Sequence, residues 1–221
     1  MATMEITIET AQKVLDVVDA GLVSGVGKPV PGQMCVEAAV CYALGLPHGD
    51  DPECVSRALR SLKIKLNDSN WSSDTARAKG LRRLAVAQLG SRDVLDDREF
   101  AKRVAELAIR KQVPLALRAA ASIQKDAGHK AKLLDAATKC EKEPTRQSAL
   151  EAKSAAAAVA YAAYAADYAA YAADYAAAAA AAADAARDES LADFAEDVVQ
   201  ILIDMKAPGC EWLPLTEAVA A

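Results

Sequence analysis

Between Ser148 and Ala186, 25 of 39 residues are alanine. Alanine loses less on entering a helix than any other residue, so this tract commits the chain to helix with little help from packing. Pro144 and the capping-box pair Ser148 and Glu151 mark its start, and Pro208–Gly209 its end. The pattern predicts one long, alanine-rich C-terminal helix from about Ser148 to Lys206. At 1.5 Å per residue it would span roughly 90 Å, more than an ordinary domain diameter, so a bend or a partner-bound portion is expected.

Within the tract, Tyr161–Ala–Ala–Tyr164–Ala–Ala–Asp167 recurs as Tyr168–Ala–Ala–Tyr171–Ala–Ala–Asp174 and is followed by Tyr175. The 3,4,3,4 spacing gathers the five rings within an arc of roughly 80° on a straight helix, flanked by the two aspartates. Further on, Phe194, Val198, Ile201, Leu202 and Met205 form an apolar stripe that projects back onto alanines rather than onto the tyrosines. The helix therefore has two faces. The tyrosine face suits several roles: filling the gap beside small residues, a seam between copies of the chain, the wall of a ligand pocket, or a low-complexity repeat without a task.

Upstream, helical spacing and stop signals recur. A first helix is expected from Thr10 to Leu22, ended by Gly21, Gly25 and Gly27, and a second with Pro31 in its first turn and Met34, Cys35, Ala38 and Cys41 on one face. Asp50–Asp51–Pro52 reads as the cap of a third, buried along Val55, Leu59, Leu62 and Leu66 and broken at Asn67–Asn70. A fourth starts near Ser73 or Asp74 and closes at Gly90; a fifth opens on the Asp96 and Glu99 capping box and is kinked or restarted at Pro114. Only Met4–Ile8 alternates like an extended arm. The fold class expected is all-α, a multi-helix bundle, with residues 1–143 as an N-terminal helical region and 144–221 as the long helix and a docking tail, integrated in one domain. In that tail, Trp212 and Leu213 are expected to fold back on the core.

Asp167, Asp174 and Asp184 interrupt the alanines, and alanine drives membrane insertion weakly, so no membrane role is expected. Five cysteines, an odd number without framework spacing, suit reduced thiols in a cytoplasmic protein.

The charge is unevenly placed. From Arg57 to Arg83 eight basic residues face two acidic ones, whereas from Glu151 to Glu211 eleven acidic residues face three basic ones. The two segments can attract each other and consume part of this polarity internally. The most site-like stretch lies in the basic segment: Asn67, Asn70, Trp71, Ser72 and Ser73, then Arg77, Lys79, Arg82 and Arg83. An indole for stacking, small hydrogen-bond donors, a helix N-terminus and cations one turn away suit a small anionic or nucleotide-like ligand. Ordinary turn chemistry and a solvated basic face account for the same residues. The patch is short and the protein acidic, which argues against nucleic acid.

Cys35 near a helix start, with Gln33 close by and His48 or His129 as base, is the arrangement a cysteine hydrolase would need; a small buried thiol is the plainer reading. Cys41, His48 and Cys54, with Asp50 or Asp51, lack the spacing of a metal site. Neither a metal nor a cofactor is expected.

The stretches Pro31–Val55 (PGQMCVEAAVCYALGLPHGDDPECV) and Asn67–Gly90 (NDSNWSSDTARAKGLRRLAVAQLG) resemble uncharacterised bacterial proteins that also carry an alanine-rich C-terminal helix. That resemblance implies the helical architecture and no activity. The tract is similar in composition to alanine-rich antifreeze helices, but those display regularly spaced threonines, and here Thr145 and Thr216 only bracket the region. The function expected is a non-catalytic protein binding a small anionic ligand, working as a homo-oligomer. The alternatives are a protein-interaction or immunity-type module using the tyrosine and aspartate face, and a cysteine hydrolase using Cys35.

Overall fold

The structure is a computed structural model that describes residues 6–164 and 173–217, without the side chains of 158–164 and 173–183. Among the described residues the protein is all-α, with no strand; Gly27 and Met34 form an isolated antiparallel bridge. No helix of the described residues is long and apolar enough to cross a membrane.

The chain divides into two compact units, one of Met1–Phe100 with Tyr175–Ala221 and one of Ala101–Asp174. The end of the C-terminal helix, from Tyr175, belongs with the first hundred residues. In the first unit, α1 (Ile8–Asp19) is capped by the Thr7 hydroxyl and buries Val14, Leu15 and Val18. Ile8 thus opens a helix rather than ending an extended arm. Helix α2 (Val36–Ala43) starts five residues after Pro31, which lies in the preceding turn, and the Cys35 thiol is its cap. Helix α3 (Arg57–Asn67) is capped by Ser56, so Pro52 sits in a turn before it and not in its first turn. Lys63, rather than Leu62, completes the fully buried side of α3 with Leu59 and Leu66.

Helix α4 (Asp74–Ala87) starts from a Ser73 cap and buries Leu81, Leu84 and Val86; each fully buried Leu stabilises by about 1.5–3 kcal/mol relative to its exposed state. It packs on α1 and α2. Helix α5 (Asp97–Leu107) opens on the Asp96 carboxylate, which accepts from the Glu99 amide at 3.0 Å.

In the second unit, a π-helical turn at Ala108–Gln112 leads into α6 (Val113–Ile123), with Pro114 in its first turn: the proline restarts the helix, since its missing N–H costs nothing there. Helix α7 (Ala127–Lys142) and α8 (Arg146–Tyr164) complete a core of Leu117, Ala121, Leu133, Ala137, Cys140 and Ala152.

The C-terminal helix expected as one element is described as two, α8 and α9 (Ala173–Asp204). Asp167, Tyr168 and Tyr171 lie outside the described residues. The backbone at Tyr161, Tyr164, Asp174 and Tyr175 is helical, and their side chains lie outside the description. Ala195, Val198, Val199 and Leu202 of α9 are buried in the first unit. Lys206 ends the helix at φ 57°, and the 3-10 helix Pro208–Thr216 folds back on α4 and α1 with Leu213 buried and Trp212 half-buried. Gly209 makes that approach possible, since a β-carbon there would stand 2.5 Å from the Val86 carbonyl oxygen.

Candidate functional site

The segment from Asn67 to Arg83 folds as the end of α3, a short turn and most of α4. Its polar residues are largely occupied by the protein itself. The buried Asn67 side chain donates to the Val23 carbonyl at 2.9 Å and accepts from the Val36 amide at 3.2 Å. The Asn70 carbonyl accepts from Arg187 Nε at 2.6 Å. Trp71 is buried, with its indole N–H on the Leu66 carbonyl at 2.9 Å. The Ser72 amide and hydroxyl both donate to Asp188, holding that carboxyl below the usual carboxylate range. The Ser73 hydroxyl caps α4, accepting from the Ala76 amide at 3.0 Å.

The arginines are engaged in the same way. Arg77 is buried and donates to the carbonyls of Asn67 and Leu22 at 2.8 and 3.0 Å, and it pairs with Asp74. Arg82 forks onto Asp19 at 2.6 and 2.9 Å and donates to the Thr216 carbonyl at 2.6 Å. The bond to Asp19 raises its already high pKa. Arg83 Nε–H is shared between the two Glu196 carboxylate oxygens at 3.1 and 3.0 Å, and its Nη1 donates to the Thr216 hydroxyl at 3.3 Å. The mutual attraction of the basic and acidic segments is therefore realised in Arg83 with Glu196. Of the four cations the sequence offered to a ligand, Lys79 alone has no ion pair or side-chain hydrogen bond among the described residues, and it is exposed.

What the segment does build is a groove of about 540 Å³ between α4 and α9. Trp71 lines it beside Gly80 and Ala192. Lys79 and Arg83 lie on the α4 side, and Asp188, Glu189, Asp193 and Glu196 on the α9 side. These four carboxylates recur at the spacing of one helical face, which is how a single helix aligns them. Four carboxylates against two cations make the groove acidic on balance. These four carboxylates are not among the site residues that the sequence predicts; their periodicity in the acidic segment is the signal that marks them.

Around Cys35 the structure shows a buried cluster. The Cys35 thiol accepts from the Ala38 amide at 3.3 Å, and burial pushes it above an ordinary thiol. Burial likewise pushes Cys54 up and Cys41 up to about 12. His48 Nε2 lies 3.1 Å from the Gly27 carbonyl oxygen. A nucleophilic cysteine needs the opposite, a lowered pKa and access. Among the described residues, no group of three His, Cys, Asp or Glu is placed to hold a metal ion.

No family model, curated protein or solved structure matches the chain. The chemistry of the groove has to carry the functional reading.

Proposed function

We propose that the protein is a non-catalytic binding module whose α4–α9 groove receives a protein segment bearing basic and apolar side chains. The observation that carries this reading is the alignment of Asp188, Glu189, Asp193 and Glu196 along α9, facing the Trp71 side of the groove. A helix with Lys or Arg on one edge and an apolar face supplies the complementary charge and covers Ala76, Ala185 and Ala192. The test is fluorescence polarisation with a labelled amphipathic Lys/Leu helical peptide and its Glu/Leu counterpart. Only the basic peptide is expected to bind, and Glu189→Lys with Asp193→Lys, which leaves the Arg83 pair intact, is expected to remove that binding. Equal binding of both peptides, or an unaffected double variant, sinks the proposal.

A small anionic or nucleotide-like ligand is the second reading. It is favoured by Lys79, which also lines a neighbouring hollow with Asp19, Arg82 and Thr216. A nucleotide-dependent thermal shift lost on Lys79→Ala would select it over the peptide. As part of the same proposal, Tyr161, Tyr164, Tyr168, Tyr171 and Tyr175 form a seam between copies of the chain. Replacing Tyr164, Tyr168 and Tyr171 by alanine is then expected to lower the mass measured by light scattering without loss of helicity.

A further inference from the structure

The acidic row of α9 is tied to the α4 side of the groove at two places. The Ser72 amide and hydroxyl hold Asp188. Further along, the Arg83 Nε–H crosses from α4 to Glu196, 3.0 Å from the nearer oxygen. Between these ties Glu189 and Asp193 are exposed and have no ion pair among the described residues. Arg83 therefore answers, from within the protein, a carboxylate that a basic guest would otherwise meet.

The same guanidinium has a second carboxylate at hand. Its Nη1 lies 3.8 Å from Glu217 Oε1 and 3.3 Å from the Thr216 hydroxyl. That hydroxyl donates to the Leu213 carbonyl at 2.6 Å, so its oxygen meets the arginine as an acceptor. Thr216 is a fixed point about which the guanidinium can turn, with Glu196 as one partner and Glu217 as the other. Glu217 lines the neighbouring hollow and not the groove. The side chains are open to solvent, at 34% for Arg83, 53% for Glu196 and 78% for Glu217. Ion pairs this exposed are weak, so exchanging one carboxylate for the other costs little.

We propose that Arg83 is a latch on the α4–α9 groove, an internal competitor for Glu196 that a guest's lysine or arginine displaces onto Glu217. The inference rests on the reading of the groove as a site for a basic and apolar segment, and it adds how the site is held before a guest arrives. With the latch moved, Glu189, Asp193 and Glu196 form an open row at spacings of four and three residues, which is one helical face. The guest moves the latch because it binds that open row better than the row with Glu196 taken.

The experiment measures the affinity of the labelled Lys/Leu helical peptide for the full chain and four variants. Arg83→Gln is expected to bind it more tightly than the parent. Lys79→Gln removes an equal charge from the same side of the groove without touching Glu196, and the gain in Arg83→Gln is expected to exceed its gain by roughly two- to fivefold, the range of an exposed ion pair. Glu217→Gln takes away the alternative partner and is expected to weaken binding in the parent, yet to change nothing in the Arg83→Gln background. Equal gains from Arg83→Gln and Lys79→Gln, or a Glu217→Gln effect undiminished without Arg83, overturns the latch while leaving the groove reading in place. A peptide that binds none of these proteins overturns both.

Discussion

Trp71 lies against the bare backbone of Gly80, so close that a β-carbon on that glycine would stand 2.5 Å from the indole Cζ3. The indole cannot readily retreat, because its N–H is fixed to the Leu66 carbonyl at 2.9 Å. Gly80 is thus a helix-interior glycine kept for contact. Gly80→Ala gains up to about 1 kcal/mol in helix propensity but overpacks the ring, at a cost of about 1–3 kcal/mol. The expected net is destabilisation in urea with altered tryptophan emission. A stabilised Gly80→Ala with unchanged emission would show that the indole does not press on this backbone.

The buried pair makes a second prediction. Lys63→Met leaves the Glu37 carboxylate buried without a countercharge and is expected to destabilise by about 3–5 kcal/mol. Combining it with Glu37→Met removes both charges and is expected to recover most of that loss. Urea unfolding of the two single variants and the double one measures the coupling. Additive losses would mean that the two charges do not depend on each other.

Ser72 and Asp188 give a prediction in pH. The Ser72 bonds hold the folded carboxyl of Asp188 below its ordinary pKa, so the folded state binds this proton less tightly than the unfolded chain does. Stability from this contact is therefore present above about pH 4 and lost as pH falls through the folded value. NMR titration is expected to place the Asp188 midpoint below the usual carboxylate range in the parent and back within it in Ser72→Ala. An identical midpoint in both proteins would remove the serine as its cause.

The thiols make a fourth. Cys35, Cys41 and Cys54 are buried with raised pKa values, and burial pushes Cys210 up to about 11. None of the five is expected to react with Ellman's reagent at pH 7 at the rate of a free thiol, whereas guanidinium should release all five. A single fast-reacting cysteine in the native protein, mapped to Cys35, would reopen the hydrolase reading.

Local signals in the sequence carried most of the fold. Ser73, Asp96 and Pro114 act where their chemistry places them, because a cap or a helix restart is decided within one turn of chain. Pro31 and Pro52 misled because a proline that fits a first turn fits an ordinary turn equally well, and Cys35 and Ser56 took the caps instead. Lys63 was harder. It stands four residues after Leu59 and three before Leu66, at proper core spacing, yet a lysine enters a core only when a countercharge is waiting there. That countercharge, Glu37, is on another helix. Arg82 and Arg83 read as available cations for the same reason: their partners Asp19, Glu196 and Thr216 are distant in sequence, so only the fold reveals that they are taken.

The first compact unit is assembled from both sides of an insertion, Met1–Phe100 with Tyr175–Ala221 around Ala101–Asp174. On the ribosome, the surface of α4 that receives α9 and the 3-10 helix emerges long before its cover. At roughly 5–20 residues per second the inserted unit and the alanine tract take several seconds to synthesise. Throughout that interval Arg82 and Arg83 lack Thr216 and Glu196, so the first unit closes these bonds only after the inserted residues have been made.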